Sequence, residues 1–354
     1  MKSVKVDELT GGEYLAKPVI TENGQKLFYE GTCVHPMQID RLKENGILEV
    51  SIFEEDLIKQ EPKEIIQEAV QADCQKKIKT ILDNYVCKDN ESLREIEKTA
   101  EVIIEDIFQN SVIAEKVYDI KERSADLYDH AITVSGLSVI TAIKMNIDKN
   151  IVHSIGVGAL LHDLGLKYIS VEYRDREPND FTPDNLFEFR KHTVYGFSSV
   201  EKESWMSSAA KKIILFHHER LNGTGYPLKQ TMIPPEVRIV SVCDAFDDMI
   251  CGIGHKQVHV PDAIEHLKKY KDVYYDGRIV DIFLQFVATY PVGTVVQLTT
   301  GEQAIVVEQN EHFADSPIVR LLKDVNGNDY KKEKTVNLAE SREIGIEKVL
   351  KAEE

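Results

Sequence analysis

The chain of 354 residues is 42% hydrophobic and 29% charged, a composition typical of a folded protein that buries a sizeable core. Its formal net charge of -17 argues against binding to a nucleic acid polymer or an acidic membrane surface, since both need clustered positive charge. No apolar run is long enough to span a bilayer, and "MKSVKVDELT" lacks the apolar centre of a secretory signal. We therefore expect a cytoplasmic protein without membrane insertion, and its five scattered cysteines fit reduced thiols.

Four segments with different compositions and hydrophobic patterns follow one another along the chain. Residues 1–53 mix short alternating apolar stretches with turns, which predicts a small N-terminal accessory α+β unit. Residues 54–117 carry apolar residues three or four apart among Glu and Lys, which predicts an amphipathic helical connector or a stalk for a homodimer. Residues 118–290 show helical spacing in seven stretches and predict a helical bundle, whereas 291–354 are β-branched and predict a small C-terminal β unit. The predicted fold class is mainly α.

The stretch "HHERLNGTGYP" at 217–227 places two adjacent histidines just before a run of turn-forming residues. Two buried imidazoles carry four ring nitrogens that all need partners, and a metal ion would supply them. Gly223, Gly225 and Pro227 then turn the backbone sharply beside that site.

Further histidines and aspartates recur on successive predicted helices. His130 opens the first strongly apolar helix, "LLHDLG" places His162 beside Asp163 among apolar residues, and His192 and Asp244 follow. One isolated buried His-Asp pair is more simply a hydrogen-bonded core pair than a ligand pair. Several such positions, each on a helix that must face the bundle, favour a shared metal centre.

Imidazole and carboxylate ligands without a nearby thiolate suit a divalent ion such as zinc, iron or manganese. A carboxylate such as that of Asp163 can bridge two ions. Two bridged ions activate a water and stabilise both the attacking and the leaving oxygen of a phosphoryl displacement. These residue types therefore predict phosphodiester hydrolysis.

This order of motifs resembles the HD-GYP family, the branch of the HD metal-dependent phosphohydrolases that degrades the bacterial second messenger cyclic di-GMP. The family pattern runs His-His-Glu, two variable residues, Asp-Gly, one variable residue and Gly-Tyr-Pro, and the chain keeps each element except that Asn222 replaces Asp. The resemblance covers about residues 118–290 and implies an HD-domain helical bundle. The two accessory units also resemble segments that accompany such domains in some bacterial proteins.

The resemblance further implies a ligand set. One ion is expected on His130, His162, Asp163 and Asp244, and a second on His192, His217 and His218, with Asp163 bridging the two. Iron or manganese is the expected metal. Some members bind a third ion with an acid one turn before the first histidine, where this chain has Asp126, so the count stays open between two and three.

The Gly-Tyr-Pro loop, Gly225, Tyr226 and Pro227, resembles the family's lip over the substrate. In this family the loop is also implicated in contacts with GGDEF domains, which synthesise cyclic di-GMP. The resemblance therefore implies a substrate-binding role for these residues and GGDEF-domain proteins as partners.

Two departures from the family bear on catalysis. Leu166 stands where the family has a lysine near the substrate phosphate, and Lys167 follows one residue later, about 100° further round a helix. The usual Arg-Pro-Tyr-Arg stretch is replaced by residues 253–256, in which Lys256 keeps the positive charge. Because a bidentate guanidinium has no simple substitute, these changes put the usual substrate contacts in doubt.

We therefore predict a metal-dependent phosphodiesterase that opens cyclic di-GMP to linear pGpG, with hydrolysis onward to GMP left open. Asp163 and Lys167 are its predicted catalytic residues, and Lys256 is a predicted substrate contact. The first alternative is a catalytically weak or inactive module that binds a nucleotide or a partner. The second is an HD phosphohydrolase for another nucleotide.

Overall fold

The computed structural model describes residues 2–21, 26–28, 31–53, 65–84, 90–109, 117–120, 123, 125–330, 332–341 and 343–350. Parts of the predicted connector, residues 54–64, 85–89 and 110–116, lie outside the described residues. The described chain divides into two compact units. A β unit contains the described parts of 1–64, 115–124 and 284–354, and a helical unit contains those of 65–114 and 125–283.

The β unit is built from both ends of the chain. Its N-terminal elements are β1 (Lys2–Lys5), β2 (Glu13–Tyr14), β3 (Val19–Ile20), β4 (Lys26–Phe28), β5 (Cys33–Val34), α1 (Pro36–Glu44) and β6 (Glu49–Ile52). The strands pair as β1 with β6, β2 with β5 and β3 with β4, all antiparallel. The C-terminal elements are β7 (Val295–Leu298), β8 (Gln303–Asn310), β9 (Phe313–Lys323), β10 (Thr335–Asn337) and β11 (Ile346–Val349).

The C-terminal strands form one antiparallel sheet in the order β10-β9-β8-β7-β11. Alternating apolar residues of this sheet, including Leu298 and Ile305, bury into a cluster that also contains Tyr14 and Phe53. The two segments predicted as separate accessory units therefore share a hydrophobic core.

The helical unit contains α2 (Glu68–Asn84), α3 (Asn90–Gln109), α4 (Leu127–Lys144), α5 (Lys149–Leu161), α6 (Pro183–Arg190), α7 (His192–Val200), α8 (Ser208–Phe216), α9 (Pro235–Cys251), α10 (Val260–Lys269) and α11 (Gly277–Phe283). Helices α4, α5 and α9 are buried along most of their length because their sequences are apolar on nearly every face. Asp126 and Asp148 cap the first turns of α4 and α5. The mainly α fold class is confirmed, and no helix in the described part of the chain is long and apolar enough to cross a membrane.

Helices α2 and α3 correspond to the predicted connector or dimer stalk. They pack in the helical unit, where Gln71 Nε2 donates to Asp129 Oδ1 at 2.8 Å and Tyr128 Oη donates to Asp83 Oδ1 at 2.5 Å. At least one face of this pair is thus committed to the bundle rather than exposed as a stalk. Self-association of this segment stays a prediction.

Candidate metal centre

Seven predicted ligands converge in the interior of the helical unit. They come from α4 (His130), the residues after α5 (His162 and Asp163), the start of α7 (His192), the residues after α8 (His217 and His218) and α9 (Asp244). Their side chains are between 0% and 11% exposed. Residues 114 positions apart in the chain are therefore gathered in one buried, polar site.

One group consists of His130, His162 and Asp244. The Nε2 atoms of His130 and His162 lie 3.0 Å apart. Asp244 Oδ1 lies 3.0 Å from His162 Nε2 and 3.4 Å from His130 Nε2. The three donor atoms thus face a common point, as the ligands of one cation do.

A second group consists of Asp163, His192, His217 and His218. His192 Nε2 and His217 Nε2 are 3.3 Å apart, and they lie 3.4 Å and 3.7 Å from Asp163 Oδ1. The other oxygen, Asp163 Oδ2, lies 3.5 Å from His162 Nε2 in the first group. The carboxylate of Asp163 therefore presents one oxygen to each group.

Hydrogen bonds outside the site orient the imidazoles. His162 Nδ1 donates to the carbonyl of Ala159 at 2.6 Å, and His192 Nδ1 donates to that of Phe189 at 2.8 Å. His217 Nδ1 lies 3.1 Å from the carbonyls of Ile213 and Ile214. Because a carbonyl accepts but cannot donate, each Nδ1 carries the proton and each Nε2 turns a lone pair into the site.

The Nε2 lone pairs face one another at short distances and therefore repel. The buried carboxylates add further negative charge to the site. Asp163 Oδ1 and both oxygens of Asp244 are buried and accept no hydrogen bond from the described residues. Buried acceptors of this kind are costly unless a cation or a donor satisfies them. Nitrogen and oxygen donors aimed at one another fit a divalent metal ion.

Four of the pKa values agree with such a site, whereas nearby carboxylates outweigh burial and raise the pKa values of His130 and His162. Burial lowers the pKa of His217 to about 3 and lowers the pKa values of His192 and His218, which keeps these imidazoles neutral, as metal ligands must be. Burial by itself raises the pKa of Asp244, but the imidazoles of His162 and His130 outweigh it and hold that pKa well below its usual range.

The Gly-Tyr-Pro loop packs directly on the double-histidine segment. A Cβ on Gly225 would lie 2.5 Å from the carbonyl oxygen of His218, so this close approach requires glycine. The ring of Tyr226 stacks on His218 with centroids 4.7 Å apart. Glu219 holds the far end of the loop, because its carboxylate accepts from the backbone N–H groups of Leu228 and Gln230 at 2.7 Å and 3.1 Å.

Asn222, the one departure within the "HHERLNGTGYP" stretch, has a local explanation. Its Oδ1 accepts from the backbone N–H of Thr224 at 3.1 Å and from the Thr224 hydroxyl at 2.7 Å. An aspartate oxygen could make the same turn, because only an acceptor is needed. The substitution therefore preserves the loop.

Three other predicted residues lie in different surroundings. Asp126 caps α4 by accepting from the N–H groups of Tyr128 and Asp129, and none of the metal-capable groups found in the described ranges includes it. The ammonium of Lys167 donates to the backbone carbonyl of Leu82 in α2. Lys256 is exposed between α9 and α10.

Helix α9 brings two further carboxylates to the site. Asp247 Oδ2 lies 2.7 Å from His130 Nδ1 and orients that ring, the supporting role that its position after Asp244 suggests. Asp248 forms a metal-capable group with His218 and Asp244, and the sequence reasoning missed it. Its spacing was a usable signal, because residues four apart on a helix share a face.

Leu166 and Ile253, the two positions where the family is charged, belong to one apolar cluster. Both are buried together with Tyr173, Phe189 and Cys251. The cluster adjoins the metal-capable groups, since the Phe189 ring lies 5.2 Å from the His192 ring. Buried apolar residues thus stand at the two positions where charged substrate contacts would be expected.

Comparison with known proteins agrees with this geometry. A model of the HD domain matches residues 110–279, and a model of the KOW domain associated with HD domain matches residues 295–354. The helical unit therefore contains an HD domain. The match to an HD domain agrees with the resemblance to the HD-GYP family that the motif order indicates.

The chain is 27% identical over 197 residues to a cyclic di-GMP phosphodiesterase of Pseudomonas aeruginosa, covering 55% of this chain and 47% of that protein. It is 30% identical over 170 residues to a cyclic di-GMP phosphodiesterase of Thermotoga maritima, covering 46% of this chain and 45% of that protein. The match thus spans about half the length of these relatives. A solved HDG"Y"P protein from Bdellovibrio bacteriovorus shares the fold, with a TM-score of 0.54, 20% identity, and coverage of 80% of this chain and 97% of that chain.

Proposed function

We propose that this protein binds two divalent metal ions, iron or manganese, and hydrolyses cyclic di-GMP to linear pGpG in the cytoplasm. The observation that carries the proposal is the pair of buried ligand groups joined by the two oxygens of Asp163. The names of the relatives supply the substrate. When bound, the ions would supply Lewis acidity and a water of lowered pKa.

The protein's own residues then have distinct tasks. His130, His162 and Asp244 would hold one ion, and His192 and His217, with His218, would hold the other. The backbone hydrogen bonds to Nδ1 preset the rings, so little reorganisation is needed when substrate binds. The Gly-Tyr-Pro loop would form one wall of the substrate site.

The guanidinium of Arg190 is a positive group at the loop. Its Cζ lies 5.2 Å from the centroid of the Tyr226 ring, which in turn stacks on His218. We expect Arg190→Ala to raise the KM for cyclic di-GMP about tenfold, equivalent to ~1.4 kcal/mol, while kcat and metal content stay nearly unchanged.

Lys191→Ala is the matched control, because the neighbouring ammonium is already paired with Glu188 at 2.8 Å. Steady-state kinetics at two salt concentrations would compare the variants. Equal KM values for both variants and wild type would remove Arg190 from the substrate site.

A catalytically weak binding module is the second candidate. It is favoured by the buried apolar pair Leu166 and Ile253, and by the hydrogen bond that engages Lys167 with Leu82. The segment that follows the Gly-Tyr-Pro loop offers a surface for a partner, since Leu228 and Met232 are 65% and 87% exposed. In this second candidate function, the protein would bind GGDEF-domain proteins as partners and would form a homodimer.

Product analysis separates the candidates. Manganese- or iron-loaded protein, prepared without oxygen, is incubated with cyclic di-GMP, a mixed cyclic dinucleotide and a mononucleotide, and the products are separated by ion-exchange chromatography. We expect pGpG from cyclic di-GMP as the fastest reaction. Faster consumption of another nucleotide would change the substrate, and tight nucleotide binding without any product would favour the binding module.

A further inference from the structure

We propose that Asp248, Asp244 and His218 form a site for a third divalent cation, distinct from the position of Asp126. The inference rests on the proposed metal centre and extends it. Asp248 would be a metal ligand, and each of the two oxygens of Asp244 would bind a different ion.

The two carboxylate oxygens of Asp244 face different partners. Oδ1 lies 3.0 Å from His162 Nε2, in the first ligand group. Oδ2 lies 3.7 Å from His218 Nδ1, is buried, and accepts no hydrogen bond from the described residues. An unsatisfied oxygen in a side chain that is 1% exposed points to a ligand on the His218 side.

Asp248 supplies the third ligand of the group on the His218 side. It follows Asp244 by one helical turn on α9, so both side chains project from the same face. One ligand atom from each of Asp248, Asp244 and His218 lies within 4.8 Å of the others. Two oxygens and one nitrogen are a donor set that suits manganese or iron.

Charge gives a second reason for a cation here. The Asp248 side chain is 6% exposed, and its Oδ1 lies 3.7 Å from His130 Nε2, which also faces Asp244 Oδ1 at 3.4 Å. One imidazole cannot compensate two buried carboxylates, and buried charge without full compensation is strongly unfavourable. The second ion would then retain Asp163, His192 and His217 as protein ligands. Three protein ligands with an open position are typical of catalytic metal sites.

Asp126 is a weaker candidate for a third ion. Its Oδ1 accepts from two backbone N–H groups at 3.0 Å and 3.1 Å and so completes the first turn of α4. Binding a metal through that oxygen would uncap the helix, whereas Asp248 has no such structural task in the hydrogen bonds described above.

Metal stoichiometry tests the proposal. The full chain is stripped with a chelator, reconstituted with Mn²⁺, freed of excess metal by gel filtration and analysed by mass spectrometry for manganese per chain. We expect three ions in the wild type, two in Asp248→Asn and three in Asp126→Asn, since asparagine also caps helices. Circular dichroism melting shows that the variants are folded, and Asp248→Ala replaces Asp248→Asn if the amide prevents folding.

The outcomes separate the two proposals. A wild type with two ions, an Asp248 variant that keeps the wild-type count, or an Asp126 variant that loses an ion would each overturn the third site while leaving the proposed function in place. A wild type that binds no manganese or iron would remove the metal centre altogether.

Discussion

Asp163→Asn is expected to lower the turnover of cyclic di-GMP by at least ~10³-fold, because it removes the one carboxylate that faces both ligand groups. The amide has nearly the same shape, so the fold should persist. Its neutral oxygen is a weaker ligand, and its NH₂ group would point a donor at one of the two metal positions. Metal content should therefore fall together with activity.

Asp148→Asn is the matched control, because Asp148 caps the helix that ends just before the site and asparagine is an equally good N-cap. Metal per chain and initial rates would be measured on all three proteins. Full metal content and wild-type turnover in Asp163→Asn would show that this carboxylate does not bridge the centre.

Gly165→Ala is expected to disrupt the site without touching a ligand. A Cβ on Gly165 would lie 1.8 Å from the backbone carbonyl oxygen of His192 and 2.7 Å from the backbone nitrogen of Gly196. Backbone atoms cannot rotate away, so the segment that carries Asp163 must separate from α7. We expect a loss of ~3 kcal/mol or more in the free energy of unfolding, together with loss of bound metal.

The control for this variant is Gly345→Ala, since a Cβ there meets nothing closer than the Thr299 methyl at 3.7 Å. We expect its free energy of unfolding to change by less than ~1 kcal/mol. Urea unfolding of the metal-free proteins measures the packing effect by itself. If the two alanine variants unfold at the same urea concentration, the close approach of these two backbones does not stabilise the fold.

Much of the helical unit could be predicted because its signals are local. Apolar residues at helical spacing lie within single helices, and the mainly α class followed from them. The candidate ligands were recognisable because imidazoles and carboxylates in apolar helices are costly without a shared partner.

Local sequence patterns do not predict contacts between distant segments of the chain. Leu166 and Ile253 could be recognised singly as departures, but only the fold shows that both belong to one apolar cluster. The engagement of Lys167 with Leu82 depends on how α2 packs, which periodicity does not encode. Asp248 was within reach of helical spacing, yet its nearness to His218 required the packing of α9.

Anomalous X-ray diffraction from crystals of the iron- or manganese-loaded protein tests the central claim most directly. Besides any peak at the Asp248 site, we predict two strong peaks about 3.5–4 Å apart, on either side of the Asp163 carboxylate. One should lie against His130, His162 and Asp244, and the other against His192 and His217. A fully loaded crystal with no peak at Asp163, or with a single peak that it does not share, would contradict a bridged two-ion centre.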